Sequence, residues 1–133
     1  MRTVRLFRKS EEKIALEAAA QDEIRRLKAL SVEELASAVL PALGPGGPAP
    51  GRHLRPQQGC EYLLRDYRGV GPTVPLQLMA RVRRALETLE EAGLASSIAY
   101  GRSPVWRITS LGTSALAEGT AERYLGSEQS AAG

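Results

Sequence analysis

The chain has 133 residues, with 18 Lys and Arg against 15 Asp and Glu, one His, one Cys and six aromatic side chains. That length suits one ordinary domain with an appended helix, and it buries enough surface to fold without metal or disulfide staples. The lone Cys60 excludes an internal disulfide, no Cys/His set has metal-ligand spacing, and no apolar run nears a membrane span or a secretory signal. The expectation is a soluble cytoplasmic protein without metal or cofactor.

Residues 1–30 form a basic arm, with eight basic and five acidic side chains. Ser10 reads as an N-cap, with Glu11 and Glu12 in the first turn of a helix that runs to about Leu30. Its narrow apolar stripe of Leu16, Ala20, Ile24 and Leu27 suits either of two partners, the body of the domain or a second copy. Ser31 opens a second helix, Val32 to about Val39, in a capping box with Glu34. Leu35, Val39 and Leu43 lie inward, and Pro41 ends or kinks the helix near Leu40. The Gly/Pro stretch 44–51 is a surface loop. A third helix runs from Pro56 to about Tyr67 with Tyr62, Leu63 and Tyr67 inward, and residues 68–72 turn the chain.

The fourth helix has Thr73 as N-cap, Pro75 in its first turn, and a stop at Gly93 after Ala92. On a helical wheel Leu78, Met79, Val82, Ala85, Leu86, Leu89 and Ala92 share one arc. The opposite arc starts with Gln77, Arg81, Arg83 and Arg84 and ends with Glu87, Glu90 and Glu91. The macrodipole favours the reverse order, so a basic N-terminal half has a cost that a facing polyanion would offset. Beyond Gly93, Leu94–Tyr100 and Val105–Thr109 read as a β-hairpin around a four-residue loop, Gly101 to Pro104. Thr109 or Ser110 caps a last helix with Leu111, Ala115 and Leu116, extending through Ala121, Tyr124 and Leu125 if Gly119 is tolerated. Residues 126–133 read as a frayed tail.

Charge read by position is more telling than the net +3. Residues 81–110 carry five basic and three acidic side chains, and 111–133 one and three, so the tail masks a basic segment. Fifteen of the 18 cations are Arg, whose planar fork suits phosphate and base edges. His53 has no carboxylate or Ser close in sequence, Cys60 reads as a buried thiol, and the Gly-rich loop lacks the Lys-Ser/Thr of a phosphate cradle. No enzyme is expected.

The stretch Arg84-Ala85-Leu86-Glu87-Thr88-Leu89-Glu90-Glu91-Ala92-Gly93-Leu94 resembles the end of the recognition helix in winged-helix regulators of the MarR and PadR type. Trp106-Arg107-Ile108-Thr109-Ser110-Leu111-Gly112-Thr113-Ser114-Ala115-Leu116 resembles their second wing strand and following helix, so the likeness covers residues 73–117. It implies a mainly α fold with a small β-hairpin wing (α+β), a winged helix-turn-helix with an additional N-terminal helix. The chain then divides into the arm and helix 1–30, a winged-helix domain 31–119 and a C-terminal helix end with a flexible tail 120–133. The resemblance implies a transcriptional regulator that binds double-stranded DNA as a homodimer, with helix 73–92 in the major groove and the wing 101–104 on the backbone or minor groove. Gln77 would meet adenine, Arg81 or Arg84 guanine or phosphate, Thr73 a phosphate at the helix start, and Arg102 the backbone or minor groove. Trp106 and Tyr100 are expected in the wing core rather than stacked on bases. The other reading is a winged-helix module that binds protein.

Overall fold

In a computed structural model of the chain the described residues are 2–48, 53–67 and 74–132, with side-chain surroundings described for 11–48, 53–67, 74–99 and 101–126. The order is α1 (Arg2–Ala29), α2 (Val32–Leu43), α3 (Pro56–Leu63), a 3-10 turn (Arg65–Tyr67), α4 (Leu76–Glu91), β1 (Ala95–Tyr100), β2 (Ser103–Ile108), α5 (Ser110–Glu118) and α6 (Ala121–Ala132). The chain is thus mainly helical with one small antiparallel sheet, an α+β arrangement.

α2 is the centre of the core because its apolar residues cover more than one face. Leu35, Ala36, Val39, Leu40, Ala42 and Leu43 are all buried, and the helix packs on α3, α4, α5, α6 and β2. α4 supplies the facing wall with Leu78, Val82, Ala85, Leu86 and Leu89. Each such Leu or Val is worth about 1.5–3 kcal/mol relative to exposure, so this pair of helices carries much of the apolar stabilisation. The capping box forms: Ser31 Oγ accepts from the Glu34 amide at 3.1 Å, and Glu34 Oε1 accepts from the Ser31 amide at 3.1 Å. Those bonds from Ser31 hold the Glu34 carboxyl below the usual range.

Several boundaries differ from the sequence reading. α1 starts at Arg2, so Ser10 lies within the helix instead of capping it. Of the expected stripe, Ala20, Ile24 and Leu27 are buried against the domain, while Leu16 is exposed. α2 continues through Pro41 to Leu43, because buried Leu40, Ala42 and Leu43 hold the last turn in place. α3 ends at Leu63 and gives way to the 3-10 turn; Gly59, Cys60 and Leu64 are its buried residues, and Tyr62, Leu63 and Tyr67 are half-buried. The expected turn 68–72 and the second half of the Gly/Pro loop, from residue 49, lie outside the described residues.

The hairpin is tighter than its sequence suggests. Tyr100 pairs with Ser103, which leaves only Gly101 and Arg102 as the turn. Gly101 has φ 66° and Arg102 does not have positive φ, the pattern of a two-residue turn with glycine first. Leu54, between α2 and α3, bridges Trp106 through both backbone groups, at 2.6 and 2.9 Å, and so adds a one-residue third rung to the sheet. Thr109 caps α5, its side chain accepting from the Gly112 amide at 3.0 Å and donating to the Gly93 carbonyl at 2.7 Å. A Cβ on Gly112 would lie 2.0 Å from the Leu94 carbonyl oxygen, so only glycine lets α5 approach this close. Left-handed Gly119 breaks the expected last helix in two, and α6 runs on helically to Ala132 where a frayed tail was expected. Within α5, Ala115 is buried but Leu111 is 40% exposed.

Candidate nucleic-acid interface

The first half of α4 sits at the surface between two other elements. The helix begins at Leu76, with Pro75 rather than Thr73 at the N-cap and no carboxylate in its first turn. Thr73 itself lies outside the described residues. With Leu78, Val82, Ala85, Leu86 and Leu89 inward, a step of about 100° per residue sends Gln77, Arg81 and Arg84 to one flank and Leu76, Met79 and Arg83 to the other.

The first flank meets the end of α1. Lys28 Nζ donates to Gln77 Oε1 at 3.4 Å, so a cation stands beside the glutamine. Arg81, expected to reach DNA, instead turns inward. Its Nη2 donates to the Leu30 carbonyl just beyond α1, and its buried Nε has no acceptor among the described residues. Arg81 therefore ties α1 to α4. Arg84 remains on the surface, where Nη1 reaches Glu87 Oε2 at 3.3 Å and Glu91 Oε1 at 3.4 Å.

The second flank opens on a groove of about 480 Å³. Its walls are Arg55, Pro56 and Gln57 at the start of α3, Leu76, Met79, Ala80 and Arg83 of α4, and Ser103 and Pro104 of the hairpin. Among the described residues, two arginines and no carboxylate line it. Arg83 Nε reaches Glu87 Oε1 at 3.5 Å, but both side chains are more than a third exposed. Such exposed pairs are worth only about 0–1 kcal/mol and yield readily to a phosphate. Arg102 is exposed at the hairpin turn next to the groove wall.

The chain thus presents Gln77, Arg84, Arg83 and Arg102 around the first half of α4, with Arg55 and Lys28 added from outside it. Arg55 and Lys28 carry no local signal. Lys28 is 49 residues from Gln77, and Arg55 precedes a short helix whose placement follows from the core.

Two residues with other conceivable chemistry are accounted for by packing. Trp106 is buried in the hairpin's core side rather than open to solvent, and its Nε1 donates to Glu90 Oε1 at 3.0 Å. The Tyr100 side chain lies outside the described surroundings. Burial pushes the Cys60 thiol up to about 12, with the Glu61 charge adding to the shift. Native protein at pH 8 is therefore expected to resist iodoacetamide and to be alkylated at Cys60 once unfolded in urea, which mass spectrometry reads directly. The sign for stability follows. The unfolded thiol ionises near 8.5–9 while the folded one stays protonated, so this contribution is intact below that range and is lost as pH rises towards 12. Rapid native alkylation at pH 8 would show that Cys60 is reachable and ionised.

Among the described residues, no group of His, Cys, Asp and Glu is placed to hold a metal ion, and no helix is long and apolar enough to cross a membrane. Comparison with family models, curated proteins and solved structures finds no match to this chain.

Proposed function

We propose that this chain is a winged-helix DNA-binding protein that acts as a transcriptional regulator on double-stranded DNA. α4 lies in the major groove with its N-terminal half nearest the bases, and the Gly101-Arg102 turn rests on the backbone or the adjacent minor groove. The observation that carries this reading is the cationic, carboxylate-free groove that joins Arg55 and Arg83 to the hairpin beside the outer face of α4. Helix, bridging residue, helix, helix and hairpin follow in the order a winged helix requires. Gln77 offers adenine an amide edge, Arg83 and Arg84 face phosphate or guanine, and Arg55 and Arg102 hold the backbone on either side. One such module reads few base pairs, so a homodimer is part of the proposal.

A mixed-sequence duplex titrated at low salt, then at rising salt, tests the reading. Binding should weaken linearly in log–log form, with a slope near −0.9 for each phosphate neutralised. No binding to mixed genomic DNA at low salt would refute it. Selection from random duplexes then supplies the site and the half-site spacing.

A second reading, a protein-binding module, is favoured by Leu76, which is 81% exposed at the mouth of the same groove near Met79 and Pro104. On DNA this side chain would cover a thymine methyl. In a protein complex it would be an anchor whose binding changes little with salt.

A further inference from the structure

The end of α1 reaches the outer side of α4. Ala20, Ile24 and Leu27 are buried against the domain, and Arg81 Nη2 donates to the Leu30 carbonyl just beyond the helix. Lys28, half-buried in the last turn, is thereby set against the start of α4, where its Nζ donates to Gln77 Oε1 at 3.4 Å. The α1 macrodipole favours a cation at that end. The acids one turn back are already paired, Asp22 with Arg25 at 3.2 Å and Glu23 with Arg26. Among the described residues Lys28 makes no ion pair, and Gln77 makes no other hydrogen bond.

Gln77 is exposed beside Ala80, the small and exposed residue midway between the two flanks of α4. No long side chain at Ala80 holds a base edge away from this turn. A glutamine amide by itself carries donors at one end and an acceptor at the other, the complement of adenine N7 and N6. An ammonium has donors only, so Lys28 takes the amide oxygen and leaves Nε2 as the free end. The remaining N–H groups of Lys28 stand next to it. The pair therefore offers donors alone. Guanine answers that pattern because O6 and N7 both accept, whereas adenine would set its N6 amino group against a donor.

We propose that Lys28 makes the Gln77 position read guanine, where the glutamine alone would read adenine. Lys28 acts as a positioning residue, orienting the Gln77 amide, and as the second donor to the base. The inference rests on the proposed placement of α4 in the major groove and refines the base met there.

The test is selection from random duplexes with the full chain, followed by affinities on single-base variants of the selected site. The position concerned is the one whose preference Gln77→Ala erases. There the parent should favour guanine over adenine about tenfold or more. Lys28→Met keeps the stem and removes the ammonium, so adenine should become the favoured base while preferences elsewhere stay. Lys28→Arg, again a donor without an acceptor, should keep guanine. Urea melts of these surface variants should move little and check that each is folded. If Lys28→Met weakens every duplex equally and guanine stays preferred, Lys28 serves a phosphate and the inference falls. A parent that favours adenine there, or a site with no position that answers to Gln77, overturns it as well and leaves the DNA reading standing. A parent that binds no duplex at low salt refutes that reading and the inference with it.

Discussion

Trp106→Ala is expected to cost about 3–5 kcal/mol of folding stability, the largest loss from any single side chain considered. The indole is 1% exposed and lies on β2 opposite Ser97. Its backbone makes both bonds of the Leu54 bridge, and its Nε1 donates to Glu90 near the end of α4. One residue therefore joins the α2–α3 connection through its backbone and α4 through its side chain, and ties both to the hairpin. Alanine removes the packing and the donor at once, and the cavity opens among residues already held by α2 and α4, which relax little. In a domain of this size that corresponds to a fall in Tm of roughly 10–20 °C. Trp106→Phe separates the two effects. It keeps most of the apolar area and loses the donor, while Glu90, being exposed, regains water, so a loss of about 1–2 kcal/mol is expected. Urea melts of both variants check the ranking. An alanine variant within 1 kcal/mol of the parent would mean that the hairpin contributes little to the core.

The same residue marks what was legible in the sequence. Trp106 on a strand, the hairpin, the capping box and the inward face of α4 all follow from local period and cap chemistry, and all are present. Errors occur where a local preference meets a stronger neighbour. Pro41 lacks an amide for the helix ladder, but the buried residues on both sides of it keep α2 helical to Leu43. Pro104 looked like a loop residue, yet it sits in β2 opposite Ala99, at the end of the sheet where the Leu54 bridge does not reach. Ser10 offered a cap with nothing before it to stop the helix. The candidate site was half legible: Gln77, Arg84 and Arg102 lie on the surface as expected. The inward turn of Arg81 was not legible, because its acceptor at Leu30 is 51 residues away and comes near only when α1 docks on α4.

That inward turn gives the arginines of α4 opposite expected signatures. Arg81→Ala leaves the Leu30 carbonyl without its donor and loosens α1 from α4, so it should lower stability by about 1–2 kcal/mol. The salt slope of DNA binding should not change, because the guanidinium is not on the outer face. Arg81→Met, which keeps the stem and removes the orphaned Nε, should be the milder of the two. Arg55→Ala, Arg83→Ala and Arg102→Ala together should behave in the reverse way. All three are exposed, and among the described residues their only ion pair, Arg83 with Glu87, is a surface pair, so the melt should move little. At about 1 kcal/mol or more for each lost contact, affinity should fall on the order of a hundredfold, and the log–log salt slope should flatten by roughly 2–3. A melt and a salt titration on the same two proteins decide between the assignments. If Arg81→Ala flattens the slope without touching the melt, Arg81 swings out to DNA and the α1–α4 tie is dispensable. If the triple variant keeps both affinity and slope, the groove is not the polyanion site, and the exposed Leu76 beside it becomes the residue to follow.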